Sequence, residues 1–256
     1  MNKWKDKVVV VTGGSAGLGK AIVAAFAAAG ATVIGISRSE SVSADNVFSV
    51  QADVTDDQSV ADAIAAIVET HQQIDVWVNN VGQSIRVAFA ESKVEEYRQL
   101  METNFFSALR CSLAVLPHLE ITSGSVVNIG SLAARTGWKH VGPYVTSKHA
   151  LSGLAHQLRI EGPDNVHSLF VCTGPIRRED SGTRYQQQSA GLDASASKPG
   201  AGVKISGIDP ANLAERIVAA VEKRKPELVV PVKTRLLFAV LQLSPRLGDW
   251  ILRKFS

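Results

Sequence analysis

The sequence predicts a single α/β domain built on a doubly wound parallel sheet of about seven strands. Three observations carry this. Short runs rich in Val and Ile alternate with stretches of helical period along most of the chain, as in successive strand–helix crossovers. The runs are apolar without alternation, Val8-Val9-Val10-Val11 being the first, which suits strands covered on both faces. A glycine-rich turn separates that first run from the first helical stretch. The 256 residues are 45% hydrophobic and 20% charged, enough for one α/β domain with a full core.

The first strand spans Lys7 to Thr12 and the first helix Lys20 to Ala29, with Ile22, Val23 and Phe26 on the packed side and Gly30 ending it. Between them Gly13, Ser15, Ala16, Gly17, Leu18 and Gly19 form a turn whose glycines let the backbone approach a ligand. The free N–H groups and positive dipole end of the helix suit a pyrophosphate. The spacing is G-x-x-x-G-x-G, a variant of the dinucleotide fingerprint. The bland alternative is a tight turn.

The second strand, Thr32 to Ile36, ends at Ser37 and Arg38 with no acidic residue. An acid there would bond the ribose hydroxyl of NAD, whereas an Arg can hold the 2′-phosphate of NADP. NADP(H) is therefore expected over NAD(H), the alternative being a solvated turn arginine. Only eight residues, Ser39 to Asn46, lead to the third strand, Val47 to Gln51. A parallel crossover normally takes about a dozen or more, so the connecting helix is cut to one turn or the strand limits differ. Asp53 and Val54 follow, where a carboxylate could meet the adenine amino group.

A helix with Val60, Ala63, Ile64 and Ile67 on one face runs from Asp56 to His71. The fourth strand, Asp75 to Val78, closes in Asn79-Asn80-Val81-Gly82, amides that can tie strands and line a cleft. Ser92 to Leu119 reads as one long helix with Asn104 among its packing positions; a buried amide there needs partners. The fifth strand, ending at Ile129, delivers Ser131 to its carboxyl end. The next helix starts near Pro143, a residue suited to a first helical position, and runs to about Glu161. Tyr144 and Lys148, four apart, share one face of it. A nearby ammonium favours the phenolate and lowers a Tyr pKa from about 10 toward neutrality. With the Ser131 hydroxyl beside it, that is the equipment for moving a proton to or from an oxygen. Taken alone, Tyr-x-x-x-Lys also describes a half-buried Tyr and a solvated Lys.

The sixth strand, Val166 to Cys172, leads into Thr173-Gly174-Pro175-Ile176. Residues 177–208 lack periodicity and are rich in Ser, Gly and Gln; so long a loop in a compact domain is usually a lid. Pro210 to Glu222 is a helix capped by Asp209, and Leu228 to Val230 the last strand. There is no internal repeat, and residues 1–232 form the one domain.

The net charge of +3 is uneven. Residues 233–256 hold five basic residues against Asp249, a net of +4, which leaves −1 for the rest. No basic face for nucleic acid is indicated. The six histidines lack metal-binding spacing, and the two cysteines, Cys111 and Cys172, sit in apolar runs as reduced core thiols would. The first apolar run is too short for a signal-peptide core, and none approaches the ~18 residues of a membrane span. The expected address is the cytoplasm. In the tail, Leu236 to Leu243 is apolar apart from Gln242, and Ser244-Pro245 starts a second piece with Leu247, Trp250, Ile251 and Phe255 near one face. Such a basic amphipathic element could lie peripherally on a membrane, or the same surface could pack on the domain or a partner subunit.

Thr12-Gly13-x-x-x-Gly17-x-Gly19, Asp53-Val54, Asn79-Asn80-Val81-Gly82, Asn104, Ser131 and Tyr144-x-x-x-Lys148 occur in the order and at the spacing of one family. Over about residues 5–232 the chain resembles the classical short-chain dehydrogenases/reductases (SDR). The resemblance implies a Rossmann-type fold and hydride exchange with a nicotinamide coenzyme. Tyr144 would be the acid in reduction and the base in oxidation. Lys148 would lower its pKa and bond the nicotinamide ribose. Ser131 would hold the substrate carbonyl, and Asn104 would fix a proton-relaying water. Asn80, Val81, Gly82, Gly174 and Ile176 would line the coenzyme site. Homodimers or homotetramers, paired through the helices holding Asn104 and Tyr144, are usual in the family. The chain departs from the family's pattern at Thr173, where Pro is usual, at Arg177-Arg178, at Val81 and in the short second crossover. The expected substrate is a carbonyl or alcohol compound of 3-oxoacyl or other hydrophobic type, Trp138 and Val141 supplying apolar contacts. The competing reading is a nucleotide-binding, membrane-associated scaffold or redox sensor with weak catalysis.

Overall fold

Seven parallel strands run in the order β3-β2-β1-β4-β5-β6-β7. The computed structural model describes residues 2–39, 45–178, 189, 191–192, 196–197 and 206–255. The strands are β1 Val8–Thr12, β2 Thr32–Ser37, β3 Val47–Gln51, β4 Val76–Asn79, β5 Ser125–Ile129, β6 His167–Thr173 and β7 Glu227–Val230. The chain steps outward on one side of β1 and then, from β4, outward on the other. The reversal between β1 and β4 is where open α/β sheets bind ligands, beyond the carboxyl ends of the strands.

Because successive side chains of a strand face opposite ways, β1 supplies both cores. Val9 and Val11 meet Ile22, Phe26, Leu213 and Ile217 from α1 (Gly17–Ala28) and α6 (Pro210–Glu222). Val8 and Val10 meet Ile64, Ile67, Val115 and Leu119 from α2 (Asp57–His71) and α4 (Ser107–Thr122). Leu151 and Ala155 of α5 (Gly142–Glu161) pack with Phe170 and Cys172 of β6. Trp4 closes the first core from the amino-terminal side, its ring edge-on to Phe26 and its indole N–H donating to Glu222 at 2.6 Å.

Two expectations are corrected. The segment from Ser92 to Leu119 is not one uniform α-helix. It divides into α3 (Val94–Met101), a π-helical turn (Glu102–Phe106) and α4. The first helix starts at Gly17, so the last glycines of the turn already form its first turn. The strand limits around the short crossover hold: β2 and β3 pair directly in parallel from Val33–Val47 to Ser37–Gln51. Residues 40–44 of that crossover lie outside the described residues. Asn46 draws the connection in, its amide donating to Ala27 O and Ala31 O at 3.0 and 2.8 Å. Edge strand β3 keeps no fully buried residue, and Phe48 lies against His71 but stays 39% exposed.

Candidate active site

The strand order opens one cleft of about 1340 Å³. That exceeds the roughly 300–1,000 Å³ of a pocket for one drug-sized ligand, and leaves room for a dinucleotide and a substrate together. All the candidate coenzyme residues line it: the turn from Gly13 and Ser15 to Gly19, Ser37, Arg38, Asp53, Val54, Asn80, Val81, Gly82, Gly174 and Ile176. Ser131, Trp138, Tyr144 and Lys148 line it too.

The floor is built from strand ends. Gly13 and Gly17 take positive φ, +66° and +52°. Gly19 allows the closest approach: a Cβ there would stand 2.0 Å from Gly13 O. Asn80 holds the turn by donating its amide to Thr12 O at 3.0 Å and Gly13 O at 3.3 Å, while its backbone N–H donates to Thr12 Oγ1 at 3.0 Å. Its neighbour Asn79 faces the other way. The Trp77 indole N–H donates to Asn79 Oδ1 at 2.9 Å, and Asn79 Nδ2 donates to Asn128 Oδ1 at 3.0 Å, tying β4 to β5.

At one end of the cleft, Ser37 closes β2 and Arg38 stands exposed after it. Asp53 accepts from Thr55 through both N–H (2.9 Å) and Oγ1 (2.7 Å), which holds its carboxyl below the usual range, helped by Arg38 and Arg110. Arg110 of α4 binds Asp57, Glu102 and Val54 O, and so fixes the loop that carries Asp53.

At the other end Ser131 caps a short 3₁₀ turn, Leu132–Ala134, its Oγ accepting from Ala133 N–H at 3.2 Å. That contact uses a lone pair and leaves the hydroxyl proton to donate. Tyr144 and Lys148 rise from the first turns of α5, Lys148 Nζ lying 5.8 Å from the centre of the Tyr144 ring. Lys148 is buried and donates to Ile129 O at 2.9 Å. Burial pushes its ammonium down to about 8. Asn104 is the one predicted site residue that does not line the cleft. It sits in the π turn behind Gly82, its Oδ1 accepting from Gln83 N–H at 2.7 Å and its Nδ2 donating to Gln83 O at 2.9 Å and Ser147 Oγ at 2.8 Å. The amide thus joins the β4 loop to α5 beside the tyrosine.

Several lining residues escape a motif reading. Arg178 hangs over the glycine turn, its Nη2 3.7 Å from where a Cβ on Gly17 would be. Buried Arg86 donates to Ala196 O at 2.9 Å and to Ser84 Oγ at 2.7 Å. A charged residue between Ile85 and Val87 was the available signal. Of the expected lid, residues 179–188, 190, 193–195 and 198–205 lie outside the described residues. Its ends are joined: Ile176 bridges Ile208, and Arg177 binds Asp209 at 2.6 Å. Cys111 and Cys172 are buried, and burial pushes both thiols up to about 12, which leaves them inert as nucleophiles at neutral pH. Among the described residues no helix is long and apolar enough to cross a membrane.

Comparisons with known proteins agree with this geometry. A family model described as short chain dehydrogenase matches residues 7–189. The chain is similar to a protein named ketoacyl reductase HetN from Nostoc sp., 32% identical and covering 100% of this chain and 91% of that one. It is also similar to a 3-ketodihydrosphingosine reductase from Bacteroides thetaiotaomicron, 30% identical over 71% of this chain and 66% of the other. Among solved structures, a short-chain dehydrogenase from Streptomyces avermitilis superposes with a TM-score of 0.77 at 28% identity, covering 97% of each chain. The ordered motifs, the sheet and these matches coincide over the same residues: the chain belongs to the short-chain dehydrogenase family, NAD(P)-using oxidoreductases that act on alcohol and carbonyl groups.

Proposed function

We propose that this protein interconverts a carbonyl and a secondary alcohol on a hydrophobic, 3-oxoacyl-type substrate, with NADP(H) as the preferred coenzyme. The observation that carries the reading is the meeting of Ser131, Tyr144 and Lys148 in the cleft that also contains the glycine turn and Arg38. The residues fit a dinucleotide phosphate. The helix α1 begins at Gly17 without a side-chain cap and without an acidic residue in its first turn, so its N–H groups are left for an anion. Arg38 offers a charge-assisted contact to a 2′-phosphate, and Ser37 sets no negative charge beside it.

When bound, the nicotinamide supplies or accepts the hydride. The chain's own side chains handle the substrate oxygen. Ser131 donates a hydrogen bond that holds it. Tyr144 donates its phenolic proton to that oxygen in reduction and takes a proton back in oxidation. Lys148 has spent one of its three protons on Ile129 O; the others remain for the coenzyme ribose, and its charge favours the phenolate. Asn104 fixes the backbone at Gln83 and the helix face below Tyr144, the place for a relaying water. Trp138, Val141 and Leu132 line the substrate side with apolar surface, and two relatives carry the names ketoacyl reductase and 3-ketodihydrosphingosine reductase. Copies pair through α4 and α5, where Leu113 and Ile160 are exposed.

NADPH consumption with a panel of carbonyl compounds, 3-oxoacyl thioesters among them, tests it. Tyr144→Phe should keep NADPH affinity and lose ~10²–10⁴-fold in rate. A variant that keeps more than a tenth of the wild-type rate would remove Tyr144 from the mechanism.

A further inference from the structure

After β7 the chain forms two helices, α7 (Thr234–Leu243) and α8 (Pro245–Phe255). They pack on each other at Leu241 and Gly248, where a Cβ on the glycine would come 2.4 Å from Leu241 Cδ2. Phe238 packs inward against the cluster that includes Leu132, Ala134, Phe170 and Val229. With Phe238 inside, Leu236, Ala239 and Leu243 recur at steps of three and four, one outward stripe on the helix. Leu236 is 73% exposed and Leu243 87%. On α8, Leu247 and Trp250 are also about half exposed, with Lys254 at 5.0 Å from the Trp250 ring centre.

Length and charge select the occupant of this surface. Helices of ten and eleven residues extend about 15 Å each at 1.5 Å per residue, half of a ~30 Å hydrocarbon core. They can lie on a bilayer but not cross it. A second copy docked about a twofold axis would set one net +4 tail against another. An anionic lipid surface complements that charge, and Trp and Leu beside Lys and Arg are the composition of an interfacial helix. Of the five basic residues, Arg235 also pairs with Glu227 at 3.6 Å; Lys233, Arg246, Arg253 and Lys254 are exposed.

We propose that α7 and α8 dock on an anionic lipid surface, seating Leu236, Leu243, Leu247 and Trp250 in the headgroup boundary while the basic residues meet the phosphates. The tail leaves the sheet at the end where the cleft opens, since Val230 pairs with Thr173 and Phe238 packs beneath the turn that follows Ser131. Docking therefore brings the cleft beside the lipid. That consequence rests on the function proposed above, whereas the docking itself does not.

The test uses the full chain and vesicles of phosphatidylcholine, alone or mixed with phosphatidylserine. The protein should float with the mixed vesicles at low salt, remain behind with phosphatidylcholine alone, and be released at high salt. Its tryptophan emission should shift to the blue, because Trp250 leaves water. Each basic residue is worth about fivefold in partition, so Arg253→Gln with Lys254→Gln should weaken binding roughly 25-fold. Leu247→Ser with Trp250→Ser should abolish it. Unchanged NADPH affinity shows that each variant is folded. The proposal is overturned if the full chain stays soluble with the mixed vesicles, or if both double variants bind as the wild type does. It is also overturned if Leu247→Ser with Trp250→Ser splits a larger species into a smaller one, which would make the stripe a contact between copies. A protein that floats but consumes no NADPH would sink the proposed reaction and leave the docking intact.

Discussion

Lys148 holds its place against the preference of the folded chain. Burial lowers its pKa from 10.5 to about 8, so the folded state binds its proton less tightly than the unfolded one. Below about pH 8 the buried ammonium carries its full penalty, of order 3 kcal/mol for a difference of that size. As pH rises from about 8 toward 10.5 the unfolded chain is still protonated while the folded one is not, and the penalty fades. Lys148→Met removes the charge but leaves Ile129 O without its donor, at a cost of roughly 1–3 kcal/mol. The expected result is a coenzyme-free variant no less stable than the wild type at pH 7, with weakened NADPH binding. The advantage should shrink between pH 8 and 10.5. Urea unfolding at both ends of that range measures it, and a variant losing more than about 1 kcal/mol at pH 7 contradicts the account. Ser131, Tyr144 and Lys148 were legible in the sequence because each follows a recognisable strand end or helix start. Arg178 stood out only as a departure from the family's pattern and Arg86 only as a charge between two apolar residues; that both line the cleft depends on the tertiary fold.

Among the elements, the stretch from α3 to α4 shows where local patterning stops being informative. Its apolar positions recur at a helical period, which says nothing about one extra residue in a turn. The π turn at Glu102–Phe106 re-aims Asn104 so that its amide reaches both Gln83 and Ser147, and such turns gather at functional sites. Gly82 is the opposing surface: a Cβ there would lie 3.2 Å from Asn104 Oδ1 and 3.3 Å from Lys148 Nζ. Its backbone is not in the positive-φ region, so Gly82→Ala should fold and crowd these two groups by a few tenths of an ångström. Because an error of 1 Å in a catalytic group can cost ~10²-fold, a drop of roughly tenfold in kcat/KM is expected, with thermal stability nearly unchanged. A variant as active as the wild type would mean that Asn104 and Lys148 have slack. The count of residues between β2 and β3 left two alternatives, a shortened helix or different strand limits, and the direct pairing of the two strands keeps the limits. The consequence of the short crossover, a β3 edge with Phe48 partly open, required knowing which helices cover the sheet.

For the whole molecule, the alternation of strand and helix already implied a doubly wound parallel sheet of about seven strands, while the order that places the cleft came from the fold. What the alternation could not give was the joint placement of Arg38, Asp53 and the glycine turn along one wall. Those groups come from separate strand ends and line one cleft; in the proposed reading they act together on a coenzyme that spans them, so their combined effect belongs to global stability. A coenzyme that binds only the folded chain stabilises it by about 2.7 kcal/mol at a hundred times its dissociation constant, or roughly 5–11 °C in Tm for a chain of this size. At equal concentration NADPH should therefore raise Tm more than NADH, since Arg38 contributes only where a 2′-phosphate is present. Ser37→Asp with Arg38→Ala should reverse that order: the new carboxylate repels the phosphate and can bond the ribose hydroxyl of NAD. The reading needs no substrate, so it remains decisive while the carbonyl compound is still being sought. A wild-type chain stabilised more by NADH than by NADPH would show that Arg38 is a solvated turn residue and that the coenzyme preference lies elsewhere on the wall.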